Sequence, residues 1–196
     1  TLFTSIKSIS QDNLSTSGYK ISTLGLSLGT TFEQYENLFF SPEIDFTQED
    51  LTTNSSASNS LKKQEGSYSD FYFNYGLFYD TRDSSYNPQS GNIISFSQNL
   101  PVVSSDNEIK NVVILTKYKA LTESKEMIGK ASIYLSAINS IDGSDVRISK
   151  RTRIPSNRLR GFEKGKIGPI DSGDFIGGNY AASLNLSTNL PGVLST

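Results

Sequence analysis

The sequence predicts an all-β fold, an antiparallel transmembrane β-barrel to which this chain contributes about eight strands. Apolar and polar residues alternate along eight segments of about ten residues or more, whereas ordinary strands average about five to six residues. One side of the segments is apolar, and the other carries the Ser, Thr, Asn, Gly, Lys, Glu and Asp residues expected beside a wet lumen. Tight turns and long polar loops alternate between the segments, which is typical of outer-membrane barrels.

Each strand is predicted from this period-two alternation. In chain order, the predicted strands are residues 2–10, 20–31, 35–48, 68–83, 92–100, 110–121, 127–139 and 179–190. The clearest apolar rows are Leu24, Leu26 and Leu28 in the second strand and Phe71, Phe73, Tyr75, Leu77 and Tyr79 in the fourth. No segment shows a helical period, so we expect no helix.

Two strands have features that bear on their place in the sheet. Pro42 has no N–H to donate to a sheet ladder, so the third strand should meet an edge or a bulge at that point. In the sixth strand, the alternation places one group of residues on the apolar face and Lys117 and Lys119 on the other. The apolar group is Val112, Ile114, Tyr118 and Ala120.

The connections fall into two kinds. Residues 86–91 and 101–107 are short and are predicted to be tight turns, the first with Pro88 fixing φ and Gly91 supplying a positive φ. Residues 50–66 have no period and are predicted to be a long mobile loop, and residues 141–178 are longer still. A soluble β-sandwich with a polar outer face would also alternate, and the pattern alone leaves it as the alternative fold.

Composition excludes several classes of function. The chain has no cysteine and no histidine, so thiol chemistry, disulfides, the usual general base and the usual zinc ligands are all absent. The net charge of −2 gives no general attraction to nucleic acid. We therefore expect no enzyme, no cofactor, no metal site and no nucleic-acid partner. The chain opens on a strand pattern without an initiating Met, and we expect it to be a piece of a longer protein.

The most unusual segment lies within residues 141–178. It contains Leu159-Arg160-Gly161-Phe162 and then Ile167-Gly168-Pro169, a basic and Gly-rich stretch with one aromatic residue. Long loops in compact domains are usually functional or disordered, and this one has features of order. Gly161 allows a sharp turn, Phe162 favours a dry pocket, and Arg160 is a permanent cation that will seek a carboxylate.

This segment closely resembles the inward-folding loop of the BamA family of outer-membrane assembly factors. The matching residues are Leu159-Arg160-Gly161-Phe162, Ile167-Gly168-Pro169, Gly173-Asp174 and Gly177-Gly178-Asn179, with Tyr79-Asp80-Thr81-Arg82-Asp83, Pro88 and Gly91 matching an earlier strand and turn. The two motifs lie in register across the chain. The resemblance covers nearly the whole of residues 1–196 and implies strands five to twelve of a sixteen-strand barrel.

The resemblance implies a function as well as a fold. Family members fold and insert other β-barrel proteins into the bacterial outer membrane without chemistry. Their partners are outer-membrane lipids, unfolded β-barrel substrates, periplasmic POTRA domains and assembly lipoproteins. Two alternatives remain: a polypeptide-translocating pore of the same superfamily, of the two-partner secretion or TamA-like kind, and a soluble adhesin-like β-domain.

The resemblance also assigns roles within the loop. Arg160 is expected to reach the lumen wall and pair with a carboxylate there. The family's acidic position is occupied by Asn185 in this sequence, so the candidate partners of Arg160 are Asn185, Glu43, Asp45 and Asp80. Leu159, Gly161, Phe162, Gly168 and Pro169 are expected to shape the loop, with Phe162 packed beneath it.

Other charged residues near these motifs are predicted to be structural or solvated. Arg158, Lys164 and Lys166 are expected to be exposed charges, and Asp80 is expected to form a strand-end salt bridge with Arg82.

Overall fold

The computed structural model describes residues 1–13, 19–163 and 165–189. Residues 14–18, which connect the first two predicted strands, Lys164, and residues 190–196, which include the last residue of the final predicted strand, lie outside them. The strands are β1 (Leu2–Asn13), β2 (Tyr19–Thr30), β3 (Phe32–Tyr35), β4 (Leu38–Thr53), β5 (Gly66–Asp80), β6 (Ser90–Ser104), β7 (Glu108–Ala120), β8 (Ile128–Ser140), β9 (Ile170–Asp171), β10 (Asp174–Phe175) and β11 (Tyr180–Thr188). Two helical turns, α1 (Asn59–Lys62) and a 3₁₀ turn (Ser156–Arg158), lie between strands.

Nine strands build one antiparallel sheet in the order β1-β2-β4-β5-β6-β7-β8-β11, with β3 paired to β4 beside this path, and β9 and β10 form a separate hairpin. If the short strands β3, β9 and β10 are left out, strands that are neighbours in the sheet also follow one another in sequence. The sheet remains open between β1 and β11. The predicted all-β barrel segment is confirmed. All eight predicted segments overlap observed strands. The third (residues 35–48) corresponds to β4, and the short strand β3 lies before it and shares only Tyr35 with the predicted range. The absence of a helix was predicted, and the single turn α1 corrects that prediction.

The sheet has two chemically different faces. We call one the apolar face. It carries rows of exposed apolar side chains, including Leu24, Leu26, Leu28, Ile44, Phe46, Ile94, Leu115, Ile133, Leu184 and Leu186. Register joins these rows across strands, for example Leu26 to Phe46 and Ile133 to Leu184. We call the opposite side the polar face, and the long loop (residues 141–178) lies against it.

The register of β7 corrects the predicted assignment of its faces. Val113 pairs with Phe96 and with Leu135, which places Val113 on the apolar face. Lys117 and Lys119 share that face by alternation, while Val112, Ile114, Tyr118 and Ala120 lie on the polar face. The pattern was ambiguous because four consecutive apolar residues, 112–115, place apolar side chains on both faces. Only pairing with neighbouring strands resolves a shift of one residue.

Pro42 occupies a gap between two ladders. The pairing of β2 with β4 ends at Gly29–Glu43. The pairing of β3 with β4 covers residues 38–40 of β4. On this side of β4, Pro42 therefore lies where no ladder partner needs its missing N–H, which accounts for its place inside a long strand.

The two predicted tight turns lie at opposite ends of the sheet. The 81–89 connection lies at one end, together with residues 36–37 and 121–127. The turn after β6 lies at the other end with the long loops, so the predicted alternation of short and long connections is wrong at this turn. Its predicted range, 101–107, is also too long: β6 continues to Ser104 through a bulge, where Phe71 pairs with Val103 but Tyr72 pairs with Pro101.

The sequence predicted a mobile loop between β4 and β5, but this loop is packed. Residues 54–65 contain α1, whose first turn is capped by the Ser58 side chain. Ala57 and Leu61 of this loop pack with Ile148 of the long loop, and Tyr19 and Ile176 border this small apolar cluster. The buried core of the described residues therefore lies at the loop end of the sheet. No helix in the described part of the chain is long and apolar enough to cross a membrane.

Candidate functional site

The long loop leaves β8, crosses the polar face and returns to β11. Its two arms are joined by an antiparallel bridge between Thr152 and Gly178, with N–H to carbonyl distances of 2.8 and 3.1 Å. The Thr152 hydroxyl also donates to Ser136 Oγ on β8 at 2.8 Å. We call residues 146–152 the base segment and residues 159–162 the motif segment. The bridge places the base segment directly on the sheet.

Arg147 is the centre of the base segment. Its side chain is 1% exposed, and its Nη2 lies 3.1 Å from Asp70 Oδ2. Its Nε donates to Asp106 Oδ2 at 2.7 Å, and Nη1 lies 3.4 Å from Glu49 Oε1. Its backbone N–H donates to Glu108 Oε1 at 2.9 Å. One buried cation thus contacts acidic residues from β4, β5, β7 and the turn before β7.

Neighbouring groups complete this network. The guanidinium carbon lies 3.8 Å from the centre of the Tyr68 ring, within cation–π distance. Lys150 Nζ lies 2.9 Å from Asp70 Oδ2 and brings a second cation to the same carboxylate. Burial lowers the pKa of Arg147, but the carboxylates of Asp70, Asp106 and Glu49 outweigh burial and hold this pKa above its ordinary value. Arg147 is a permanent charge at this site.

A second contact holds the far arm of the loop. The hairpin of β9 and β10 presents two carboxylates to the 54–65 loop. Asp174 accepts from the Ser58 N–H at 2.9 Å and Asp171 from the Ser60 N–H at 3.2 Å. These bonds satisfy N–H groups at the start of α1 that no helical carbonyl can reach. We call this contact the hairpin clasp.

The motif segment has a different environment from the one predicted. Phe162 is 62% exposed and is not packed beneath the loop. Leu159 and Phe162 line a shallow hollow together with Ile154 and Ile167. Arg160 is exposed and makes no ion pair among the described residues. The base segment is therefore fixed on the sheet, and the motif segment is exposed.

None of the four predicted partners contacts Arg160. Asn185 Nδ2 donates instead to the Arg158 carbonyl at 2.6 Å. Glu43 accepts from Asn74 Nδ2 at 3.3 Å. Asp45 lies on the polar face, paired in register with Ser27. Asp80 binds Arg82, which confirms the predicted strand-end salt bridge at 2.7 Å. No hydrogen bond or ion pair joins Arg160 to these residues within the described ranges, and its pairing with the lumen wall stays a prediction.

The sequence predicted Arg158 to be an exposed charge. Next to the motif segment, the side chain of Arg158 instead lies on the sheet. Its Nη1 donates to Ser132 Oγ at 3.2 Å, and its guanidinium lies 5.1 Å from the Tyr134 ring centre. Lys166 is exposed as predicted and pairs with Glu163 at 3.0 Å.

The remaining motif residues shape the loop. Gly161 has φ +85° and Gly168 has φ +134°, conformations that side chains with a Cβ rarely adopt. Pro169 accepts from the Ile176 N–H at 3.1 Å and packs beside Gly178, so it joins the two arms near the bridge.

Sequence reasoning missed Arg147, although two signals point to it. Val146 and Ile148 flank it inside the otherwise polar stretch 142–153, and both neighbours are buried. Glu49, Asp70 and Glu108 all fall on polar-face positions near the loop end of their strands. An excess of acidic residues at one end of a lumen requires a cation, and any basic residue of the loop could have supplied it.

Nothing in the described ranges resembles a metal centre, since no group of three or more acidic side chains has the geometry to hold an ion. Asp70, Asp106 and Glu49 are instead occupied by Arg147, and Lys150 adds a further cation.

Together, the two-faced sheet and the loop seated on its polar face define a segment of an outer-membrane β-barrel whose interior is occupied by its own loop. Residues 1–196 match the Omp85 superfamily domain along their whole length. The chain therefore belongs to the Omp85 superfamily and to the bacterial outer membrane.

A solved structure shows the same fold. The crystal structure of BamA from Haemophilus ducreyi lacking POTRA domains 1–3 superposes with a TM-score of 0.88 at 21% sequence identity. The match covers 100% of this chain and 42% of that chain, so this chain spans less than half of the BamA structure. No curated protein matches the sequence.

Proposed function

We propose that this chain is the central part of the barrel of an assembly factor that folds and inserts other β-barrel proteins into the outer membrane. The observation that carries the proposal is the long loop, whose base segment is pinned to the polar face while its Leu159-Arg160-Gly161-Phe162 segment remains exposed. The whole-length fold match to a BamA barrel supports the same assignment.

The two faces of the sheet have different roles. The apolar face contacts lipid, and the strands satisfy one another's backbone groups, as a membrane requires. The polar face holds the loop. The eight strands are thus the scaffold and the loop holder.

Substrate strands would pair at a seam formed by the first and last strands of the whole barrel, where an unpaired edge in lipid favours a new partner. POTRA domains and assembly lipoproteins are the proposed periplasmic partners.

The test is an assembly assay with the full-length protein that contains this chain. The protein is placed in phosphatidylethanolamine and phosphatidylglycerol vesicles, and a urea-unfolded eight-stranded outer-membrane protein is added as substrate. We expect folding to be faster than in empty vesicles, and Arg160→Ala to remove most of the acceleration. Lys166→Ala is the matched control, because Lys166 is an exposed cation of the same loop that pairs with Glu163, its neighbour in that loop.

The alternative function predicts a different result. A translocating pore would leave the folding rate at that of empty vesicles and would carry an unfolded secreted polypeptide into the vesicle lumen, where added protease cannot reach it. That pair of results would overturn the assembly proposal.

A further inference from the structure

We propose that Arg147 is a positioning residue that holds the base segment on the polar face, so that the motif segment works from a fixed support. The claim about seating rests on the structure alone. The claim that seating matters for assembly rests on the proposed function.

Burial divides the loop into two parts. Val146, Arg147, Ile148 and Thr152 are all at most 4% exposed, whereas Phe162 is 62% exposed. The change occurs within ten residues of one loop. Within residues 154–162, Leu159 and Phe162 border a shallow hollow, and Arg158 bonds to Ser132 on β8. The base segment is therefore the fixed point of the loop.

Arg147 supplies the strongest link between the base segment and the sheet. Its fork reaches Glu49 on β4 and Asp70 on β5, and its Nε reaches Asp106 in the turn after β6. Lifting the loop would leave these carboxylates crowded without their main cation, and separating one partner of a buried pair is strongly unfavourable. Among the described carboxylates, Lys150 forms an ion pair with Asp70 alone, so it cannot replace the whole arrangement.

The geometry also requires arginine. Three different nitrogen atoms of one planar group contact three acidic residues. A lysine presents a single ammonium on a flexible stem and cannot reach all three at once. Arg147→Lys should therefore retain part of the seating, and Arg147→Gln should retain little.

Seating is measured with Thr152→Cys in the full-length protein. Thr152 is 3% exposed and lies in the bridge, so maleimide should label the new thiol slowly while the loop is seated. We expect Arg147→Gln to raise the labelling rate about tenfold or more, and Arg147→Lys to give an intermediate rate. Arg160→Gln is the matched control, since Arg160 is exposed and forms no hydrogen bond or ion pair with the described part of the sheet, and it should leave the labelling rate unchanged. An unchanged rate in Arg147→Gln would overturn the proposal.

Folding is checked in the same samples by the mobility shift of the heated against the unheated protein on a denaturing gel. If Arg147→Gln does not fold, the variant Arg147→Gln with Asp70→Asn removes the stranded carboxylate and takes its place. Fast labelling of this folded variant supports the proposal, and slow labelling overturns it.

A rescue experiment separates positioning from other roles. The Thr152 and Ser136 hydroxyls lie 2.8 Å apart, so cysteines at both positions can be oxidised to fasten the base segment to β8. We expect Arg147→Gln to lose assembly activity and the oxidised cysteine pair to restore it. Failure of a formed disulfide to restore activity would show that Arg147 acts in another way. If labelling responds as expected but the unmodified protein assembles nothing, the seating role stands and the proposed function fails.

Discussion

At the scale of single residues, position in the fold decides which of three arginines is buried. Arg147, Arg158 and Arg160 all lie in the same polar loop. Arg147 is enclosed by carboxylates, Arg158 lies against Ser132 and Tyr134, and Arg160 is exposed. Their charges are identical, so the difference comes from the polar groups that the sheet presents beneath each position.

Glycine positions show the same dependence on surroundings. Gly91 has φ +106°, and a Cβ there would lie 2.3 Å from the Thr81 carbonyl oxygen and 2.6 Å from Arg82 Cα. Both atoms belong to the backbone, so no side-chain rotation relieves the overlap. We expect Gly91→Ala to lower the free energy of unfolding by about 3 kcal/mol or more. The measurement is urea unfolding of the full-length protein in detergent micelles.

The control for Gly91 is Gly143→Ala. Gly143 has φ +80°, but a Cβ there meets nothing within 4 Å. It should show only the backbone strain of about 1–2 kcal/mol. Equal effects of the two substitutions would contradict the predicted overlap at Gly91.

At the scale of elements, the loops stabilise one another as well as the sheet. The 54–65 loop contributes Leu61 to the apolar cluster with Ile148, and its N–H groups bind the β9–β10 hairpin. Each loop alone is too polar to form a core, but together they bury apolar surface and satisfy the first N–H groups of α1.

The hairpin clasp should depend on pH. Hydrogen bonds from Ser60, and then from Ser172, lower the pKa of Asp171 below its ordinary value. Because the folded pKa is lower than the unfolded one, the contribution of Asp171 is fully present above its unfolded pKa of about 3.9 and is lost as pH falls through the folded pKa. We expect the Ser60 N–H to lose protection from hydrogen exchange below about pH 4, after correction for intrinsic exchange.

Asp171→Asn provides the control for this pH dependence. An amide cannot titrate, so protection of the Ser60 N–H in that variant should be flat across the acid range. A pH dependence that survives the substitution would assign the effect to another group.

At the scale of the whole molecule, the apolar and polar faces create opposite demands on the same strand. Leu26 is the central residue of its row on the apolar face, while Ser27 faces the polar side beside Asp45. We expect Leu26→Arg to cost about 2–4 kcal/mol, because the charge enters lipid. Ser27→Arg should cost much less, since it faces a polar interior with a carboxylate near it. Urea unfolding in phospholipid vesicles measures both.

The two variants introduce the same side chain at neighbouring positions of β2, so the length of the new side chain and its local strand propensity are matched. Equal destabilisation by the two arginines would contradict the assignment of the faces, and with it the outward position of the Leu24–Leu26–Leu28 row.

Several features of the fold follow from the sequence alone. The eight strands, most apolar rows, the positive φ at Gly91 and the Asp80–Arg82 salt bridge were all predicted correctly. Each depends on short-range physics: alternation of period two, the conformational freedom of glycine, or two charges two residues apart.

Only the tertiary structure decided the rest. The faces of β7 depended on register with β6 and β8, because its apolar residues occupy both sides. The choice of Arg147 depended on Glu49, Asp70 and Asp106, which are distant in sequence and meet only when strands pair. The packing of the 54–65 loop depended on its partner loop. The sequence determined what each strand buries locally, whereas contacts between distant segments determined which charged group fills the interior.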